Sequence, residues 1–319
     1  MPLPPTDFTG KTVLIAGAAG FIPGHMAEFY LNLGAKVIGI DNFITGTQKN
    51  IEILKRYPQF TFFNQNIFMG LPDFSRLSID YIFNMASPAS PIDFAKIPVE
   101  IMRINSEGTL HLLELAKRKN ARILEASTSE VYGDPDIHPQ VESYNGNVNP
   151  IGPRSCYDES KRFAEALTMT YNRLGVDTRI VRIFNTYGPR MRPDDGRVIP
   201  NFVNQALRNE DITVFGDGSQ TRSYCYVSDL VDAIHYVMFT EDPTPFNIGN
   251  ADEYTVLETA EKIIKLTDSK SKIIYKDLPK DDPRKRRPSL TKIQSQSPYS
   301  PKINFDEGLL RTIEHFKNL

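Results

Sequence analysis

Short apolar runs alternate with stretches of helical periodicity along the first half of the chain. Thr12-Val13-Leu14-Ile15-Ala16 is the first such run. Lys36-Val37-Ile38-Gly39-Ile40, Phe60-Thr61-Phe62-Phe63 and residues 81–85, 121–126 and 177–182 follow it. Each has the length and the β-branched or aromatic content of a buried strand. Residues 26–33 and 99–119 carry the helical pattern, the second as one continuous long helix. Strands separated by helices predict an α/β fold, a doubly wound parallel sheet, with ligands beyond the carboxyl ends of the strands. Further on, residues 198–208, 226–239, 255–266 and 305–316 read as helices, and 213–215 and 272–275 as short strands. The pattern divides the chain into a sheet domain, residues 1–183 and 226–249, and a smaller C-terminal lobe, residues 184–225 and 250–319.

Between the first strand and the first helix lies Gly17-Ala18-Ala19-Gly20-Phe21-Ile22-Pro23-Gly24. Strand, glycine turn and helix together make a Rossmann-type pyrophosphate site, because glycines admit the ligand to the backbone and the helix start offers free N–H groups. Gly17, Gly20, Phe21 and Ile22 are its candidate residues. Asp41 ends the second strand, with Asn42 after it. An acid there binds an adenosine ribose diol and repels a 2′-phosphate, which favours NAD over NADP. The third glycine of the usual spacing is replaced by Pro23, with Gly24 one place late. That departure bears on helix–strand packing more than on the pyrophosphate.

Two strand ends carry small hydroxyl residues, Ala86-Ser87-Pro88-Ala89-Ser90 and Ser127-Thr128-Ser129-Glu130. Both are placed to face a ligand. Tyr157 and Lys161 stand four apart in a run of good helix formers, hence one turn apart on one helix face. An ammonium beside a phenol favours the phenolate, and such a phenol can take a proton from a sugar hydroxyl.

Composition narrows the classes. The chain has 319 residues, 40% of them hydrophobic, and a formal net charge of −2. A slightly acidic chain has no overall basic field for nucleic acid or an anionic membrane surface. No apolar run is long enough to span a bilayer, and the first residues lack the pattern of a signal peptide. Two cysteines without framework spacing suit a reducing, cytoplasmic setting. The five histidines show no metal-ligand spacing, so no metal is expected. The cluster Arg284-Lys285-Arg286-Arg287 follows Asp281 and Asp282 and reads as a loop for a diphosphate or carboxylate, since arginine's planar fork suits both.

Longer blocks run in order over nearly the whole chain: N-M-A-S-P-A-S-P (84–91), A-S-T-S-E-V-Y-G-D-P (126–135), N-P-I-G-P-R-S-C-Y-D-E-S-K-R (149–162), R-I-F-N-T-Y-G-P-R-M (182–191), D-D-G-R-V-I-P-N-F (194–202), G-S-Q-T-R-S-Y-C-Y-V-S-D-L (218–230) and D-D-P-R-K-R-R-P (281–288). With these the chain resembles the extended short-chain dehydrogenase/reductase superfamily of sugar-nucleotide enzymes, and within it the UDP-glucuronic acid decarboxylase branch. The resemblance implies a catalytic set of Thr128, Tyr157 and Lys161, completed by Ser129 and Glu130 in the decarboxylases' T-S-E version. It implies that Asn185 and Arg222, the latter in a loop, hold the nucleotide sugar and its diphosphate, and that Ser90 touches the substrate. It places Arg286 at the substrate carboxylate or in proton delivery, and Asn105 near the nicotinamide ribose, beside Ala86 and Ser87. At position 66 the family usually has an aspartate near the adenine; Asn66 still accepts a hydrogen bond.

The implied reaction is oxidation of the sugar at C4 by bound NAD, loss of CO₂ from the resulting β-keto acid, and reduction to UDP-xylose. In it Lys161 lowers the Tyr157 phenol, and Glu130 either repels the substrate carboxylate or, with its own pKa raised, donates a proton. The resemblance also implies a homodimer built on helices 99–119 and 157–174. A UDP-sugar 4-epimerase or 4,6-dehydratase on the same scaffold, and a non-catalytic nucleotide-sugar-binding protein, stand as the alternatives.

Overall fold

The computed structural model describes residues 3–277 and 285–319. Its centre is a seven-stranded sheet built from β1 (Thr12–Ala16), β2 (Lys36–Asp41), β3 (Phe60–Asn64), β4 (Tyr81–Asn84), β5 (Arg122–Thr128) and β6 (Thr178–Ile183), closed at one edge by Phe246–Ile248. Read across, the order is Phe246–Ile248, β6, β5, β4, β1, β2, β3, and every pairing is parallel. The order reverses between β1 and β4, where a doubly wound sheet opens a crevice.

The apolar strand residues alternate between two cores, as the pleat requires. Val13, Ile15, Phe83, Leu124 and Val181 face one core, with Met26, Ala27 and Tyr30 of α1 (Phe21–Asn32). Leu14, Ala16, Ile82 and Ile123 face the other. There they meet Leu112, Leu113 and Ala116 of a helix ending at Lys119 and Tyr171 of a later one. Each such fully buried leucine contributes about 1.5–3 kcal/mol.

The helices that follow are α2 (Gln48–Leu54), α3 (Pro91–Phe94), α4 (Pro98–Arg103), α5 (Thr109–Lys119) and α6 (Ser155–Arg173). Residues 99–119 are therefore not one continuous α-helix. A π-turn, Ile104–Gly108, separates α4 from α5. Helical periodicity alone does not register one inserted residue, which is why the sequence reads as unbroken.

The lobe holds β7 (Thr186–Tyr187), α7 (Val198–Leu207), β8 (Ile212–Phe215), β9 (Thr221–Ser223) and β10 (Cys225–Tyr226). After α8 (Val227–Met238) and β11, the edge strand Phe246–Ile248, come β12 (Glu253–Thr255), α9 (Val256–Thr267), β13 (Ile273–Lys276), β14 (Lys285–Arg286), α10 (Thr291–Gln296) and α11 (Phe305–Lys317). A third core, with Phe202, Val203, Ile263, Leu309 and Phe316, packs α7, α9 and α11 together. Asp281, Asp282, Pro283 and Arg284, half of the charged loop noted in the sequence, lie outside the described residues.

Candidate active site

The crevice at the carboxyl ends of the strands opens into a cavity of about 430 Å³ that continues onto the lobe. Of the residues singled out in the sequence, Gly17, Gly20, Phe21, Ile22, Asp41, Asn42, Asn66, Ala86, Ser87, Ser90, Thr128, Ser129, Glu130, Tyr157, Lys161, Asn185, Arg222 and Arg286 all line it. Asn105 does not. It sits in the π-turn, 1% exposed, and donates from Nδ2 to Ser160 Oγ at 2.9 Å, while its Oδ1 has no hydrogen-bond partner. That bond ties the π-turn to α6.

At the sheet end, Gly17 has φ +84°, and a Cβ there would lie 2.9 Å from Ala86 Cα. Glycine thus lets the β1 and β4 ends close on each other. Gly20 caps α1 without a side-chain hydrogen bond, so the helix start keeps its N–H groups for a ligand. Pro23 fits buried in the first turn of that helix, and a Cβ on Gly24 would meet nothing nearer than 3.7 Å. Asp41 accepts from Ala19 N at 3.0 Å and Phe43 N at 2.7 Å. Burial pushes its carboxyl up, against the pull of these N–H groups. Asn50 of α2, which the sequence reading passed over, ties the turn down by donating to Ala19 O at 2.9 Å. Asn66 accepts from Phe68 N at 3.2 Å and keeps a lone pair to spare. An uncapped helix start, a glycine cradle and an acid at the β2 end fit a dinucleotide, and NAD is the form without a 2′-phosphate to meet that acid.

Thr128 ends β5 and accepts from Glu130 N at 3.2 Å, which starts the 3₁₀ turn Ser129–Tyr132. Tyr157 and Lys161 occupy one face of α6, both buried. The Tyr157 ring stacks on Phe94 with centroids 5.0 Å apart. Burial pushes its phenol well above the usual range; the Thr128 hydrogen bond opposes this, Glu130 and Asp158 add to it, and Arg197 counters it. Lys161 is not among the leading influences on the phenol. The Lys161 ammonium is turned to Ala126 O, at 2.7 Å, and to Glu125 Oε1, at 3.3 Å.

Glu130 also differs from expectation. Arg286 Nη1 donates to its Oε1, and Arg154 Nη2 donates to its Oε2 at 2.6 Å. Burial works to raise its pKa, but the two guanidiniums outweigh burial and hold the carboxyl down at about 2. It is a fixed anion and not a proton donor. Arg286 is 2% exposed and donates further to Ser129 Oγ at 3.0 Å and to Gly133 O at 3.2 Å. Gly133 has φ +61°, and a Cβ there would fall 1.9 Å from Asn147 O, so only glycine closes this wall. Burial raises Asp158, the neighbour of Tyr157, to about 7, with Glu130 adding to the rise and Arg154 and Arg286 opposing it. The sequence reading gave Arg154, Asp158 and Arg197 no part. Arg154 lies inside the quoted block 149–162, but nothing in its spacing says that it reaches back to Glu130.

On the lobe side, Arg222 is in strand β9 and not in a loop. It pairs in register with Tyr254 of β12 and with Arg286 of β14. The preceding Gly-Ser pair hides a three-residue strand. Ser90 donates to Asp195 O across to the lobe, and Asn185 O accepts from Cys225 N at 2.9 Å. Among the described residues no cluster of His, Cys, Asp and Glu could hold a metal ion, and no helix is long and apolar enough to cross a membrane.

A parallel sheet with a dinucleotide crevice and a Thr-Tyr-Lys set defines an NAD-dependent short-chain dehydrogenase/reductase. Residues 13–249 match the model of the NAD dependent epimerase/dehydratase family. UDP-glucuronic acid decarboxylase 1 of Arabidopsis thaliana is 48% identical over 307 residues, 96% of this chain and 70% of that protein. UDP-glucuronic acid decarboxylase 1 of Danio rerio is 44% identical over 318 residues, 98% of this chain and 75% of that protein. Among solved structures, UDP-glucuronic acid 4-epimerase from Bacillus cereus, in complex with UDP-glucuronic acid and NAD, superposes with a TM-score of 0.86. It is 27% identical, with 96% of this chain and 99% of that one covered. The chain belongs to the NAD dependent epimerase/dehydratase family and, within it, to the UDP-glucuronic acid decarboxylases.

Proposed function

We propose that the protein converts UDP-glucuronate to UDP-xylose and CO₂, with NAD recycled in the site. The observation that carries this reading is the cluster of Glu130, Arg154 and Arg286 set beside Thr128 and Tyr157 at one strand end. A 4-epimerase acting on UDP-glucuronate only has to keep the carboxylate in place, whereas a decarboxylase must hold it and then release it, a task that suits Arg286 with its charge balanced by Glu130.

Gly17, Gly20, Phe21 and Ile22 would hold the pyrophosphate, Asp41 and Asn42 the adenosine ribose, Asn66 the adenine, and Ala86 and Ser87 the nicotinamide end. When bound, NAD supplies the oxidising and later the reducing equivalent at C4 of the sugar. Tyr157 takes the proton of the 4-hydroxyl, and Thr128 hydrogen-bonds the reacting oxygen. In the 4-keto sugar the C5–C6 bond breaks. Its electron pair passes into the ketone as an enolate, the carboxylate leaves as CO₂, and a proton returns to C5. Arg286 orients the carboxylate. Glu130 offsets the charge of Arg286, so the carboxylate is held without being stabilised so strongly that its charge cannot pass into the ring. Asn185, Arg222 and Ser90 would hold the UDP-sugar. Residues 1–183 and 226–249 serve the cofactor in this proposal, and 184–225 and 250–319 the nucleotide sugar.

A homodimer accompanies the proposal. It is supported by Val99 and Met102 on α4, Leu110 on α5 and Phe163 on α6, large apolar side chains left exposed along the two helices named for pairing. A cytoplasmic setting is supported by two free, buried thiols, Cys156 and Cys225. The test of function is incubation of the purified protein with UDP-glucuronate and NAD, with products identified by mass spectrometry. UDP-xylose is expected; UDP-galacturonate as the sole product overturns the proposal in favour of 4-epimerisation.

A further inference from the structure

Behind Lys161 lies a buried carboxylate to which the proposed mechanism gives no task. Glu125, on β5, is 1% exposed. Its Oε1 accepts from Lys161 Nζ at 3.3 Å, and its Oε2 accepts from Asn84 Nδ2 at 2.5 Å. Asn84 Nδ2 reaches Thr109 Oγ1 as well, at 3.0 Å. One polar chain thus links β4, β5, α5 and α6, and ends one helical turn from Tyr157. An ion pair at this depth is a poor stabiliser, since well-packed apolar residues of similar volume serve a core as well or better. Its neighbours Ile123 and Leu124, 1% and 0% exposed, show that this part of β5 packs with apolar side chains. Packing therefore does not account for a carboxylate here.

We propose that Glu125 is the positioning residue of Lys161: it balances the ammonium, draws it toward the ends of β4 and β5, and so limits the positive charge felt at the Tyr157 phenol. The inference rests on reading Tyr157 and Lys161 as the catalytic pair. Glu125 is faced by Lys161 and Glu165 from α6 and by Asn84 from β4; burial pushes its carboxyl up, while Lys161 and Asn84 oppose that. The phenol is faced by Thr128 and Glu130 from the β5 end, by Asp158 on its own helix and by Arg197 from the lobe. None of these groups other than Glu125 touches the Lys161 ammonium through a charged atom among the described residues. Removing the Glu125 charge leaves the ammonium uncompensated, which favours the phenolate.

The experiment compares Glu125→Gln, nearly isosteric and uncharged, with Glu125→Asp, which keeps the charge. The acid limb of the kcat–pH profile is expected to move to lower pH by about one unit in Glu125→Gln. In Glu125→Asp it stays at the wild-type position. Ultraviolet difference titration of the NAD-loaded protein, with Tyr157→Phe as the blank, is expected to show the same displacement without any turnover. Should Glu125→Gln fail to fold, Asn84→Leu decides: losing its hydrogen bond lets Glu125 protonate more readily and displaces the limb in the same direction. A folded Glu125→Gln whose acid limb and phenol titration coincide with wild type overturns the proposal. Lys161→Met is run in parallel. Wild-type turnover in that variant removes the catalytic pair itself, a failure separate from that of Glu125.

Discussion

Glu130→Gln keeps the side chain's shape and removes the charge between Arg286 and Arg154. Holding that carboxyl at about 2 against an ordinary 4.5 corresponds to about 3 kcal/mol in favour of the charged form. Because the folded-state value is depressed, this contribution is fully present above about pH 4.5 and drains away as pH falls toward 2. Unfolding entropy of about 2.1 cal/mol/K per residue gives roughly 0.7 kcal/mol/K for the whole chain. Glu130→Gln should therefore melt about 4–5 °C below wild type at pH 7.5. By pH 3.5 about 1–2 kcal/mol of the wild-type advantage is gone, and the gap should shrink by about 2 °C. Scanning calorimetry at the two pH values measures both. Equal melting temperatures at pH 7.5, or a gap that does not narrow in acid, refute the pairing of Glu130 with the two arginines. The same variant should bind UDP-glucuronate and lose most UDP-xylose formation; normal turnover at saturating substrate would reduce Glu130 to a structural anion.

Tyr157→Phe should fold, bind NAD and lose at least about a hundredfold in turnover, measured under saturating substrate. Asp41→Ala should narrow the preference for NAD over NADP, read by titrating both cofactors into wild type and variant; an unchanged preference removes Asp41 from ribose recognition. Phe163→Glu puts a charge on the exposed apolar face of α6 and should yield monomers by light scattering at micromolar concentration, while far-ultraviolet circular dichroism stays that of wild type.

Most strands of the main sheet were legible because they are short runs rich in β-branched and aromatic residues covered by helices, and edge strand β3 kept that content although Thr61 and Asn64 stay exposed. The edge strand Phe246–Ile248 and the three-residue strands around Arg222 were not, because so short a run carries no period. Tyr157, Lys161 and Thr128 stand out by motif. What motif could not convey is the company they keep. Glu130 looked like a free acid next to a substrate because the two arginines that pin it come from residues 154 and 286, 24 and 156 positions away. Lys161 looked free to act on Tyr157 because Glu125, on a strand 36 residues earlier, gives no local sign of reaching it. Pairings of this kind are set by the sheet order, and the hydrophobic pattern alone does not fix which strands lie side by side.

The π-turn Ile104–Gly108 acts as a phase shifter. One residue more than the α-helical count rotates everything after it by about 100° relative to everything before it. Val99 and Met102 ahead of it can thus point outward while Thr109, Leu112 and Leu113 behind it point into the sheet. Shortening the turn by a single residue would leave both halves helical yet set one of them facing the wrong way. The outward face and the Thr109–Asn84 contact would then be alternatives, and no substitution at either place could restore both.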